Sequence, residues 1–195
     1  MSPRCIVIEG NIGAGKSTVL RRIEALGFKV FYENVERWKP LLELFYKDPS
    51  RWSFALQVAI LHDMCQQRID ADKVDSELHP VVFFERSPAS NMIFAKISGQ
   101  LGTISKIELE TYNLLYKDMS WTPDVTVLVD TPVAVCMERI RRRNREGEQG
   151  IDVKYLESVD GLHRTDLGVV GVVVDGTTDT VTLANSILSG VGLFG

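Results

Sequence analysis

Residues 10–17 read Gly-Asn-Ile-Gly-Ala-Gly-Lys-Ser and fit the pattern G-x-x-x-x-G-K-[ST] in full. Gly10, Gly13 and Gly15 let the backbone turn so that its N–H groups converge on an anion. A helix beginning at the end of the octet adds partial positive charge there. Lys16 can reach the β- and γ-phosphates of a nucleoside triphosphate, and the Ser17 hydroxyl can ligate Mg²⁺. Asn11, Ile12, Ala14 and Thr18 complete the candidate donor cradle. The bland alternative is a glycine-rich turn joining a strand to a helix. The full octet, after the apolar run Cys5-Ile6-Val7-Ile8, argues against it. The motif says nucleoside triphosphate; it does not say what is done with it.

Other charged residues stand where chemistry would need them. Glu33 closes an apolar stretch and is placed to take a proton from a hydroxyl attacking phosphorus, or else is a loop carboxylate in a surface pair. Glu85-Arg86-Ser87 follows Val81-Val82-Phe83-Phe84. Four apolar residues ending in an acid is an arrangement that holds Mg²⁺ directly or through water, making Glu85 and Ser17 the candidate metal ligands. Arg86 can pair with a carboxylate or a phosphate; a strand-end charge pair is the competing reading. Residues 139–148 carry the densest charge run, with Arg139 and Arg143 on one helix face and Arg141 and Arg145 on another. A solvated helix end, a nucleic-acid patch and a mobile lid compete for it. Its place in a phosphate-binding chain, leading into the glycine-bearing stretch 146–150, favours a lid. Trp38, Phe45, Tyr46, Trp52 and Phe54 read first as core, yet flat apolar walls beside the amide of Gln57 would also suit a nucleobase.

The elements that must position these residues alternate along the chain. Strands are expected at 5–9, 29–32, 81–85, 125–130 and 170–175. Helices are expected at 17–26, 41–46, 52–72, 89–97, 106–119, 133–143, 153–162 and, in the tail, 178–188. Nearly continuous apolar strands separated by helices predict an α/β fold with a parallel sheet covered on both faces. The octet, Glu33, Glu85 and Asp130 then fall at the carboxyl ends of strands, where such sheets bind ligands. The last stretch, 189–195, reads as frayed.

Composition narrows the classes. The chain has 195 residues, 45% apolar and 25% charged, which suits one globular domain. A net charge of −4 argues against general nucleic-acid or membrane-surface binding. Cys5, Cys65 and Cys136 lack metal-ligand spacing and read as buried thiols in a reducing compartment, and His62, His79 and His163 form no ligand pattern. No signal or transit sequence and no bilayer-length apolar run is read, so the expected location is cytoplasmic.

With these residues in view, roughly residues 4–175 resemble the deoxynucleoside kinase family. The landmarks keep their order: the octet, Glu33 to Trp38, Tyr46-Lys47-Asp48-Pro49 to Trp52, Gln57, Glu85-Arg86-Ser87, the arginine run, and Lys154-Tyr155-Leu156-Glu157. The resemblance implies a P-loop kinase fold: a five-stranded parallel sheet flanked by helices, one domain over 1–195, with an arginine-rich lid at about 141–152. It implies ATP as donor with Mg²⁺, a deoxynucleoside as acceptor, and a homodimer packed through the helices at 52–72 and 106–119. Glu33 would be the base for the 5′-hydroxyl and Arg86 would position it. Tyr46 and Glu148 would bind the sugar 3′-hydroxyl. Gln57 would read the base between Trp38 and Phe94. Arg139, Arg143 and Arg145 would clamp donor phosphates, and the stretch 175–179, with Asp175 and Thr177, would wrap the adenine.

Helical counting from Gln57 puts Ile60 and Met64 in the same pocket. In the family, readers of an amino group resemble one another in pairing an arginine at the Met64 position with an aspartate at that of Asn91. Thymidine-accepting members have methionine and a small residue. Met64 with Asn91 implies thymidine and deoxyuridine as acceptors, thymidine preferred, with deoxycytidine also accepted. Asn91 fits neither pattern. Asp152 replaces a common proline, Leu56 an aromatic, and the loop between Trp38 and Leu41 is short. The expected activity is phosphorylation of a deoxynucleoside 5′-hydroxyl. A nucleoside monophosphate kinase and a catalytically silent nucleotide-binding dimer remain as alternatives.

Overall fold

Five strands form one all-parallel sheet in the order β2-β3-β1-β4-β5. They are β1 (Arg4–Glu9), β2 (Lys29–Phe31), β3 (Val81–Glu85), β4 (Val125–Asp130) and β5 (Val172–Asp175). The computed structural model describes residues 2–145 and 147–194, and for Gln149 the backbone alone. Met1, Glu146 and Gly195, which the sequence reading counts within the domain and the arginine run, lie outside the described residues. Helices α1 (Lys16–Ala25), α2 (Val35–Lys47), α3 (Pro49–Ala71), α4 (Pro88–Gln100), α5 (Lys106–Met119), α6 (Val133–Arg143), α7 (Val153–Asp166) and α8 (Thr180–Gly190) cover the sheet, with a 3-10 turn at Glu148–Gly150.

Central β1 pairs with β3 on one side and β4 on the other, Ile6 lying opposite both Phe83 and Val125. Alternation along the strands sends Ile6, Ile8, Phe83, Val127 and Val129 to one face, where they meet Val19, Leu20 and Ile23 of α1 and Leu183, Ile187 and Leu188 of α8. Cys5, Val7, Val82 and Phe84 face the other side, against Phe31, Ala71 and Trp121. Both faces are therefore dry, which is why the strands read as unbroken apolar runs. Cys5 and Cys136 are buried as expected, but Cys65 is only half-buried.

Several helix starts are set locally. Asp48 accepts from the Arg51 N–H, with Pro49 at the first helical position of α3. Ser105 and Glu108 form a reciprocal capping box on α5. Asp152, the residue in place of a proline, caps α7 by accepting from the Tyr155 N–H at 2.7 Å.

Two expectations are corrected. The stretch from Trp38 to Leu41 is not a loop: α2 begins at Val35 and runs through Pro40. A proline there lacks the N–H that would bond the Glu36 carbonyl, which is why the sequence suggests a later start. Packing of α2 along α3, with Trp38 buried, overrides that loss. Nor is the tail frayed as far as Phe194. Val191 is 4% exposed, its carbonyl accepts from Arg4 Nη1 at 2.9 Å, and Leu193 packs on the main core.

Candidate active site

A single cleft of about 1840 Å³ runs along the carboxyl ends of the strands. That exceeds the several hundred Å³ of a typical one-ligand pocket, leaving room for two ligands end to end. One end is the loop between β1 and α1. Gly10, Gly13 and Gly15 have φ of 144°, 79° and 105°. At Gly13 the conformation is enforced by contact as well, since a Cβ would stand 2.6 Å from the Cys136 carbonyl oxygen. Ile12, Gly13, Gly15, Lys16, Ser17 and Thr18 line the cleft, whereas Gly10 and Ala14 lie beneath it. Asn11 is turned away from the cleft as well. Its Nδ2 donates to the Leu156 carbonyl at 2.9 Å and its Oδ1 accepts from the Ile12 N–H, tying the loop to α7. Lys16 Nζ donates to the Gly10 and Asn11 carbonyls at 3.0 and 2.8 Å. Burial and the nearby Arg86 cation push its pKa down to about 7. A phosphate would exchange those carbonyls for a true counter-charge.

The middle of the cleft gathers the acids. Ser17 Oγ donates to Glu85 Oε1 at 2.5 Å, bringing the two candidate metal ligands together. Glu33 Oε2 stands 3.7 Å from Arg86 Nε, with a quarter of the Glu33 side chain exposed. Burial pushes the Glu33 carboxyl above its usual range, Arg86 pulling it down and Glu85 pushing it up.

Arg86 is the pivot. Its φ of 69° is left-handed, which a non-glycine residue adopts only when its surroundings hold it. Its N–H donates to the Ile8 carbonyl, and the next residue is held twice by Glu9, whose Oε1 accepts from the Ser87 N–H and Oγ at 2.9 and 2.6 Å. The guanidinium lies over the Phe94 ring at 5.0 Å. His163 stands behind it. Its Nδ1 is 2.7 Å from the Val159 carbonyl, which only accepts, so the proton belongs on Nδ1 and the Nε2 lone pair faces Arg86 Nη1 at 3.5 Å. Burial and Arg86 push the His163 pKa down to about 3, keeping it neutral. The sequence reading missed both Glu9 and His163. Glu9 carried a visible signal, an acid ending a buried apolar strand. A lone histidine carried none.

At the far end, Trp38, Gln57, Ile60, Met64, Asn91 and Phe94 all line the cleft. Asn91 Nδ2 donates to Gln57 Oε1 at 2.7 Å, and the Tyr112 hydroxyl donates to Asn91 Oδ1. Tyr112, fully buried on α5, is another residue the sequence did not single out.

The arginine segment is pulled inward. Arg143 Nη2 meets Glu148 Oε1 at 2.7 Å and Arg145 Nη1 lies 3.7 Å from the same oxygen, so both cations face Glu148 here. Gly147 presses on Tyr46: a Cβ there would overlap the ring. This contact brings Glu148 beside Tyr46, whose hydroxyl pKa is pushed up by burial and by Glu148. Arg139 donates to the Ala14 and Gly176 carbonyls, both at 2.9 Å, bracing the loop against the turn after β5. In that turn Asp175 Oδ1 accepts from the Thr177 N–H and Oγ1, and both residues face solvent. Gly176 and Thr178 line the cleft instead.

Comparison with known proteins shows the family and the fold. The sequence profile of the family described as "Deoxynucleoside kinase" matches residues 6–183. A protein of Frog virus 3 (isolate Goorha) is 35% identical over 164 residues, 84% of this chain and 83% of its own. The deoxyguanosine kinase of Dictyostelium discoideum is 32% identical over 83% of this chain and 58% of its own length. Among solved structures, a deoxyadenosine kinase from M. mycoides, with dCMP and dCDP bound, superposes with a TM-score of 0.83 at 26% identity, covering 96% of this chain and 98% of that one. The architecture is thus a P-loop kinase fold, and the chain belongs to the deoxynucleoside kinase family.

Proposed function

We propose that this chain transfers the γ-phosphoryl group of ATP, with Mg²⁺, to the 5′-hydroxyl of a pyrimidine deoxynucleoside. The family phosphorylates nucleosides from a nucleotide donor. The observation that carries the finer reading is the single cleft in which Glu33 and Arg86 stand 3.7 Å apart beside Lys16 and the Ser17–Glu85 pair. Glu33 accepts the 5′-hydroxyl proton as that oxygen attacks phosphorus, and the bond to the β,γ-bridging oxygen breaks in line. Arg86 keeps Glu33 ionised and aimed. Lys16 and the loop N–H groups hold the donor phosphates. Arg143 and Arg145 exchange Glu148 for phosphate oxygens as residues at about 141–152 close as a lid, freeing Glu148 to join Tyr46 at the sugar 3′-hydroxyl. Ser17 and Glu85 suit Mg²⁺: two oxygen donors in contact serve an ion that keeps waters and phosphate oxygens as its other ligands. When bound, that ion supplies charge neutralisation at the β- and γ-oxygens.

Met64 and Ile60 support pyrimidine use, because their apolar surface beside Gln57 accommodates a thymine methyl. Two of the proteins named above carry purine names, and the structure of one of them holds dCMP and dCDP, so likeness alone does not choose the base. The ranking among pyrimidines turns on the Gln57 amide. We further read the chain as one domain acting as a homodimer through α3 and α5, without nucleic-acid or membrane partners. Among the described residues no helix is long and apolar enough to cross a membrane.

The test is phosphate transfer from ATP and Mg²⁺ to thymidine, deoxycytidine, deoxyadenosine and deoxyguanosine, compared by kcat/KM, with TMP as a further acceptor. Highest efficiency with the pyrimidine nucleosides is expected. Deoxyguanosine turned over as well as thymidine would overturn the pyrimidine assignment. Transfer to TMP alone would make the chain a nucleoside monophosphate kinase, and nucleotide binding without transfer a silent one.

A further inference from the structure

We propose that Tyr112, through Asn91, fixes the orientation of the Gln57 amide, so that among pyrimidines the pocket prefers the 4-amino edge of cytosine over the 4-keto edges of uracil and thymine. The inference rests on the deoxynucleoside kinase reading above and adds the chemical class of base.

The chain of hydrogen bonds begins at its buried end, with Tyr112. The Tyr112 hydroxyl has one hydrogen, and it goes to Asn91 Oδ1. Tyr112 is fully buried, and burial keeps its hydroxyl protonated. Turning the Asn91 amide over would set Nδ2 against the hydroxyl oxygen. The Tyr112 hydrogen would then lack its acceptor, and a buried unsatisfied donor is costly. Asn91 is 1% exposed, so water does not relieve this. Asn91 therefore presents Nδ2 to Gln57, and Oε1 of Gln57 accepts it at 2.7 Å. Turning Gln57 over would bring two NH₂ groups face to face, which is repulsive. Each amide is locked by the one beneath it.

Gln57 thus offers its remaining Oε1 lone pair on the Asn91 side and its Nε2 hydrogens on the other. Among the described residues Nε2 donates to no protein group. A base edge that satisfies both must carry a donor toward Asn91 and an acceptor beside it. Glu33 and Arg86 hold the 5′ end of the sugar, so the exocyclic group at position 4 of a pyrimidine, opposite the glycosidic nitrogen, reaches the closed end where Asn91 lies. Cytosine matches, with N4–H₂ to Oε1 and Nε2 to N3. The adenine edge has the same order. At position 4 and its neighbour, uracil and thymine present O4 and N3–H, the reverse, and guanine presents O6 and N1–H in the same reversed order; the N3–H and O2 of uracil and thymine have the matching order but lie one ring position away, out of register with a sugar held at Glu33 and Arg86. No cationic side chain is needed, so the device works with Met64 in the pocket.

Deoxycytidine and deoxyuridine isolate the effect, because neither has a 5-methyl group. Their kcat/KM ratio is also independent of the fraction of protein that is active. The wild type should favour deoxycytidine by about tenfold or more, the discrimination of a matched bidentate pair. Tyr112→Phe keeps the ring, removes the donor, and should bring the ratio to within about twofold of unity, mainly by raising relative use of deoxyuridine. If that variant fails to fold, Asn91→Ala breaks the same chain and should relax the ratio likewise. A wild type favouring deoxyuridine, or a Tyr112→Phe enzyme slowed equally on both, overturns the lock while leaving the kinase reading intact. Transfer to neither nucleoside overturns the kinase reading, and the lock with it.

Discussion

Glu33 is the residue on which turnover should depend most directly. Glu33→Gln removes the proton acceptor but preserves shape, so kcat should fall by about 10²–10⁴-fold with nucleoside Kd nearly unchanged. The carboxylate form is the active one, and burial raises its pKa. Wild-type kcat should therefore fall with decreasing pH along a limb lying above the ordinary glutamate range, and the residual rate of Glu33→Gln should lack that limb. Glu9 makes an opposite kind of prediction. It is fully buried, its Oε2 has no hydrogen-bond partner among the described residues, and burial raises its pKa despite Arg86 and Ser87. A raised pKa means the folded state pays for the charge above that pKa, and the cost fades as pH falls and the group protonates. Glu9→Gln keeps an acceptor for Ser87 and drops the charge. Its Tm in the ligand-free protein should exceed wild type at pH 8, by about 2–4 °C per kcal/mol gained, and the difference should shrink toward pH 5. Among pyrimidines, burying the thymine methyl against Met64 is worth about 0.8 kcal/mol, whereas a matched hydrogen-bond order is worth about 1–3 kcal/mol. If the proposed amide lock holds, the larger effect should put deoxycytidine ahead of thymidine and thymidine ahead of deoxyuridine in kcat/KM. Met64 alone, as read from the sequence, suggests thymidine first.

The loop between β1 and α1 works because α6 passes directly behind it. Gly13→Ala would drive a Cβ to 2.6 Å from the Cys136 carbonyl in a left-handed conformation. The expected result is a several-fold or larger rise in the KM for ATP with the nucleoside KM little changed, and about 1–3 kcal/mol lost in denaturant unfolding. Unaltered ATP kinetics would mean the loop tolerates the shift. At the α4 and α7 elements the same logic concerns position rather than clash. The β3–α4 turn is pinned by Glu9 from β1 and backed by His163 from α7, so the orientation of Arg86 depends on three elements far apart in sequence. Because the His163 pKa is held near 3 in the folded state, against about 6.5 for an unperturbed histidine, its contribution to stability is intact above pH 6.5 and is lost progressively as pH falls from there toward 3.

At the scale of the molecule, α5 leaves Ile107 and Leu114, seven residues apart on one face, 68% and 63% exposed. The proposed homodimer would cover them. Sedimentation should find a dimer, and the Ile107→Glu/Leu114→Glu double variant should shift it to monomer. A wild-type monomer would refute the dimer. Much of the site was legible in the sequence because its signals are local. A glycine octet, an acid after four apolar residues and a run of arginines each declare their chemistry within ten residues, and strand–helix alternation puts them at one edge of a parallel sheet. The start of α2 was placed too late, at 41 in place of Val35, because the local cost of Pro40 is visible in the sequence and the packing of α2 on α3 is not. Glu9, His163 and Tyr112 act through partners 78, 77 and 21 residues away. The sequence by itself determined the parallel sheet and put the glycine octet, Glu33 and Glu85-Arg86 at the carboxyl edge of it. Only the tertiary structure decided which groups stand behind Glu33 and Arg86 and which way the base-reading amide faces, because a buried hydrogen bond is set by whatever donor or acceptor folding brings against it.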